Sequence, residues 1–115
     1  MYRFVMLAAL AVVLTSGAAL TAASADLTPG LSFAKQHCAK CHGVEANAQS
    51  SPNSEAPTFK AVANSTGMSS TALTLWMQKP GLHHSMPEVV VPIDDQDNVI
   101  AYILSLKNGG AGGKQ

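Results

Sequence analysis

Apolar positions fall in two regimes along this chain. Residues 4–14 are apolar without interruption, whereas from residue 26 onward apolar side chains come in short runs at helical spacing, separated by polar stretches. Leu31, Ala34, Cys38 and Cys41 recur every three or four residues, as they do on one face of a helix. Residues 59–63 are long enough for one helical turn. Leu73, Trp76 and Met77 define another helix, and Val99, Tyr102, Ile103 and Leu106 stand at i, i+3, i+4 and i+7, the buried stripe of a last one. Between them, residues 43–57 are rich in Ser, Asn, Pro and Gly and read as loop. Residues 81–92 are irregular and carry two prolines, and Val89-Val90-Val91 is too short to count as a strand. The pattern predicts an all-α chain of three to four short helices joined by long loops.

Local signals place the helix ends. Thr28-Pro29 suits a start, with Thr as cap and Pro at the first helical position, where its missing N–H costs nothing. Ser69 or Ser70 caps the third helix, and Pro80-Gly81 stops it. Asp94 caps the last helix, whose positive N-terminal end suits the acids at 94, 95 and 97, and Asn108-Gly109 ends it. The tail, residues 109–115, holds four glycines and is expected to be flexible.

Composition changes the picture in one respect. Of the whole chain 47% is apolar, but 19 apolar residues crowd into residues 1–25, and the remaining 90 residues hold 35. Only Phe33, Phe59, Trp76 and Tyr102 supply aromatic bulk there. A chain this short with so few large side chains has a thin core, close to the size of about 70–80 residues below which burial alone rarely suffices. Seven basic residues balance seven acidic ones, which argues against a nucleic-acid partner held through phosphates.

Arg3, the apolar run 4–14 and the small-x-small sequence Ala23-Ser24-Ala25 together match a secretory signal peptide. The run falls short of the roughly 20 residues a membrane span needs. The expected organisation is a cleaved signal over 1–25, one domain over 26–108 and the tail 109–115, in the periplasm. Any membrane contact would come through partner complexes or an uncleaved signal.

Cys38-Ala39-Lys40-Cys41-His42 is the C-x-x-C-H pattern of covalent haem attachment, and the chain has no other cysteine. Two thiols on one turn can bond both vinyl groups of a porphyrin, and the adjacent imidazole can coordinate the iron. The other ring nitrogen is then expected to donate to a backbone carbonyl. Three other readings compete. Zinc would need His37, His83 or His84 to complete a set of unusual spacing. A thioredoxin-like pair would need a βαβ pattern that the sequence lacks. A structural disulfide suits an oxidising compartment but leaves His42 unexplained.

For the opposite face of the iron the candidates are Met68, Met77, Met86, His83 and His84. Met86 lies 44 residues after His42, in the irregular stretch His83-His84-Ser85-Met86-Pro87, and is favoured. Met77 suits the core of a helix beside Trp76, and Met68 suits loop packing. A histidine at 83 or 84, or an open sixth site, are the alternatives.

These residues resemble class I c-type cytochromes, in particular small bacterial monohaem ones, over most of 28–107. Gly30, eight residues before Cys38, matches the glycine at which the family's first helix crosses its last, and Tyr102 matches the aromatic that packs there. Ala56-Pro57-Thr58-Phe59 is similar to the family's A-P-x-F segment. Leu73, Trp76, Pro80 and His83-His84-Ser85-Met86-Pro87 are similar to its helix, proline and methionine loop. One departure stands out: the family often has an aromatic four residues before the first cysteine, where this chain has Ala34, with Phe33 adjacent.

The resemblance implies a cytochrome c fold, with short helices and loops wrapped around one covalent haem c. It implies Cys38 and Cys41 as thioether positions, His42 as proximal ligand and Met86 as distal ligand. A filled sixth site implies an electron carrier rather than an enzyme, docking transiently with redox protein donors and acceptors at an exposed haem edge. Lys35, Lys40, Lys60 and Lys79 are candidate docking charges, though solvated lysines are the default. The alternatives are an electron-transfer subunit of a larger redox complex, or a haem enzyme or gas-binding protein with an open sixth site. Without haem the chain is expected to fold poorly.

Overall fold

The computed structural model describes residues 25–79, 86 and 90–108. Four helices follow in order: α1 (Thr28–His37), α2 (Phe59–Ala63), α3 (Ser70–Gln78) and α4 (Ile93–Ser105), and there is no strand among the described residues. The fold class is all-α. None of the described helices is long and apolar enough to cross a membrane.

Helix α4 is the hub, packing against each of the other three and most extensively against α1. Its buried face is Val99, Ile100, Tyr102 and Ile103, with Leu106 half-buried at its end. Ala34 of α1, Phe59 and Ala63 of α2, and Leu73 of α3 complete the core with Val44 from the loop between α1 and α2. The crossing of α1 over α4 depends on Gly30. A methyl group there would stand 2.7 Å from the Asn98 carbonyl carbon and 2.8 Å from Tyr102 Cβ, so only a glycine admits this approach. Tyr102 is buried, and its hydroxyl donates to the Val44 carbonyl at 2.6 Å, tying α4 to the loop that follows the cysteines.

The helix ends differ from the sequence reading in detail. Leu27, not Thr28, is the cap residue of α1. Asp26 supplies the missing acceptor, its carboxylate taking the Thr28 N–H at 3.0 Å, so Thr28 becomes the first helical residue. Pro92 replaces Asp94 as the cap of α4, and the carboxylates of Asp94 and Asp95 act through their position in the first turn. Ser69 caps α3 by accepting the Ala72 N–H at 3.1 Å. Helix α4 stops at Ser105, before Asn108. There Asn64 accepts the Asn108 N–H at 2.8 Å and donates to the Leu106 carbonyl at 3.2 Å, so a side chain from the end of α2 closes the last turn. Residues 1–24, all but the last of the expected signal 1–25, residues 80–85 and 87–89, and the expected tail 109–115 lie outside the described residues.

Candidate functional site

The cysteines do not continue α1. The helix stops at His37, and Cys38 is its C-cap residue, with its N–H on the Ala34 carbonyl at 2.8 Å. The chain then turns tightly, the N–H groups of Cys41 and His42 both donating to the Cys38 carbonyl at 3.1 and 2.9 Å. This turn puts two half-buried, unbridged thiols and one imidazole within five residues. Burial pushes the Cys38 thiol above its ordinary pKa.

His42 is oriented by the loop that follows it. Its Nδ1 lies 2.7 Å from the Pro57 carbonyl. A carbonyl only accepts, so Nδ1 carries a proton, and in the neutral ring Nε2 is then the nitrogen with the lone pair, the form of imidazole that binds a metal. The ring of Phe59 flanks it, with centroids 5.5 Å apart, and Phe59 in turn lies 6.5 Å from the ring of Tyr102. Phe59 is held at the start of α2, whose first turn is capped by the Thr58 hydroxyl accepting the Ala61 N–H at 3.1 Å.

Next to His42 is an apolar cavity of about 510 Å³. That lies within the range of roughly 300–1,000 Å³ typical of cofactor sites. Cys38, His42, Pro57 and Phe59 form part of its wall, and Leu73, Trp76, Val99 and Ile103 come from α3 and α4. Met86 also lines it. The tertiary structure therefore brings Cys38, His42 and Met86 to one space, whereas Cys41, on the same turn, stands outside the wall. Val91 reaches the cavity from just before α4, steadied by the buried Gln96, whose amide donates to the Val91 carbonyl at 2.9 Å.

Sequence reasoning assigned Met77 to core packing and Met68 to a loop, and both line the same cavity. The signal for Met77 was present, because Leu73, Trp76 and Met77 share one face of α3 and all three reach the cavity. Met68 gives no such periodic signal. It closes a turn in which its N–H donates to the Ser65 carbonyl at 3.1 Å, and Gly67, at the third position, adopts φ +75. The Lys107 ammonium then donates to the Met68 carbonyl at 3.0 Å. His83 and His84 lie outside the described residues, so the described thioethers facing the cavity are Met68, Met77 and Met86.

Of the candidate docking lysines, Lys35 is paired with Glu45 at 2.9 Å, while Lys40, Lys60 and Lys79 are exposed. The pair is half-exposed, which limits it to at most about 1 kcal/mol. Ala34, in the place of the aromatic expected from the resemblance, is fully buried, and Phe33 beside it stacks on His37 with centroids 4.3 Å apart. Among the described residues no three His, Cys, Asp or Glu side chains gather as a metal site, so the cluster a zinc centre needs is not formed there. Around the apolar space stand one thiol on its wall and one on the turn beside it, an imidazole oriented by a carbonyl, and three thioethers. No family model, curated protein or solved structure matches the chain.

Proposed function

We propose that this chain is a periplasmic electron carrier holding one covalent haem c, with Cys38 and Cys41 as the attachment thiols, His42 as the proximal ligand and Met86 as the distal one. The observation that carries the reading is the His42 ring, whose Nδ1 lies 2.7 Å from the Pro57 carbonyl while the ring itself lines an apolar cavity of about 510 Å³. With Nδ1 taken by the carbonyl, Nε2 is the ring nitrogen left for a ligand in that apolar space. The thin core supports the same reading. Val99 is the only large side chain among the described residues that is fully buried, and the space between α2, α3 and α4 is left to the cavity.

When bound, the haem would supply a single-electron couple, and ligation by neutral sulfur from Met86 together with the His42 imidazole would favour the ferrous form. The protein's own residues do the rest. Pro57 keeps His42 in the binding tautomer, Phe59 and Leu73 exclude water, and the covalent thioethers prevent loss of the cofactor. Trp76, 40% exposed and on the cavity wall, with Leu75 at 46%, gives an apolar edge where a redox protein docks transiently. The segment 1–25 acts as the export signal.

The test is expression with the signal intact in a host that matures c-type haem proteins. The expected product is an exported chain, cleaved after Ala25, whose mass after denaturation includes one haem and whose spectrum is low-spin in both oxidation states. A denatured chain with no added mass would refute the cofactor. Covalent haem with a five-coordinate, carbon monoxide-binding spectrum would refute the carrier and favour an open site.

A further inference from the structure

The proximal histidine is flanked by two peptide groups, and a single loop holds both. Before it, the Cys41 carbonyl accepts the Asn53 N–H at 3.1 Å. After it, the Gly43 N–H donates to the Ser51 hydroxyl at 2.9 Å, while the Gly43 carbonyl accepts the Phe59 N–H at 2.9 Å. Gly43 is buried, and a methyl group there would meet Ala48 Cβ at 3.0 Å and Thr58 Cγ2 at 3.1 Å, so the loop is pressed against the residue that follows the histidine. Two of these three bonds run backbone to backbone and do not depend on a side chain. The third, Ser51 to Gly43, rests on one hydroxyl.

We infer that Ser51 is a positioning residue for His42: by accepting the Gly43 N–H, its hydroxyl sets the plane of the 42–43 peptide and so holds the imidazole at its short contact with the Pro57 carbonyl. This rests on the proposed role of His42 as an iron ligand. The chemical consequence follows from the direction of that bond. A strong Nδ1–H to carbonyl bond makes the imidazole a better electron donor, which stabilises ferric iron relative to ferrous. Ser51 therefore lowers the reduction potential through His42 without touching the haem. If the hydroxyl is removed, the peptide is free to rotate toward another acceptor, the ring moves off Pro57 and the potential rises.

The experiment compares Ser51→Ala, Ser51→Thr and a control, Ser54→Ala at an exposed position in the same loop, all in the full-length exported chain. Two quantities are read: the reduction potential, and the exchange rate of the His42 Nδ1 proton by nuclear magnetic resonance. Ser51→Ala is expected to raise the potential and to speed proton exchange about tenfold, Ser51→Thr to restore both, and Ser54→Ala to change neither. A Ser51→Ala protein that melts earlier but keeps the wild-type potential and exchange rate would overturn the inference, leaving Ser51 a loop anchor only. Should the alanine variant not accumulate, Ser51→Cys, a weaker acceptor, is read in the same way. Failure of the underlying reading is separate: the wild-type chain would carry no haem, and the exchange rates alone would still decide the role of Ser51.

Discussion

The crossing of α1 over α4 offers the most quantitative test, through Gly30→Ala. The two consequences of the added methyl oppose each other. Replacing glycine within a helix gains about 1 kcal/mol of helix propensity. Against this, the methyl would overlap the Asn98 carbonyl carbon at 2.7 Å and Tyr102 Cβ at 2.8 Å. Backbone atoms and a Cβ cannot swing away as a flexible side-chain tip can, so the helices must part. Overpacking of this kind costs about 1–3 kcal/mol, and the rigid neighbours put this site at the upper end. The net is about 2 kcal/mol destabilising, which for a domain of this size lowers Tm by roughly 8–16 °C. The assay is thermal unfolding of the purified protein by circular dichroism. Ser32→Ala, on an exposed position of the same helix, is the control and should change little. An unchanged or raised Tm for Gly30→Ala would refute the close crossing, because propensity alone would then be acting.

Other residues give shorter tests. Tyr102→Phe strands the buried Val44 carbonyl and should cost about 1–3 kcal/mol in urea unfolding. Burial, and then Glu45, raises the Tyr102 pKa. Its stabilising contribution is thus complete below the tyrosine's unfolded value and lost as pH rises through the folded one, so Tyr102→Phe should also flatten the alkaline limb of the stability profile. The Thr28 N–H holds the exposed Asp26 carboxyl below its ordinary range, so the carboxylate supports α1 at neutral pH and loses that role as pH falls through the depressed value. Asp26→Asn should reduce the acid sensitivity of α1, measured by hydrogen exchange at its first amides. If the proposed haem is bound, Met86→Ala should alter its spectrum and lower its potential, whereas an unchanged spectrum would move the proposed ligand to another side chain such as Met77 or Met68, which line the same cavity. On the proposed function, expression without the haem-maturation machinery should leave a chain without cooperative unfolding, and a native-like form made that way would count against the cavity as a cofactor space.

The sequence alone determined what depends on neighbours a few residues apart. The stripe Val99, Tyr102, Ile103 and the face Leu73, Trp76, Met77 announced α4 and α3, because helical periodicity is written directly in residue order. Ser69 was legible as a cap for the same reason. Caps chosen by single-residue preference were misplaced by one or two positions at Thr28 and Asp94. Asp26 and Pro92 satisfied or started those ends first, and a preference scale does not see which acceptor arrives. Only the tertiary structure decided what depends on loops meeting across long separations. It put the Pro57 carbonyl on His42, fifteen residues away, and Tyr102 on Val44, fifty-eight residues away. It brought Met68 to the cavity from a turn with no periodic signal, and tied the end of α4 back to Asn64. These contacts arise because α4 packs on three short helices at once, and the geometry of that packing, not any local spacing, sets where each loop lands.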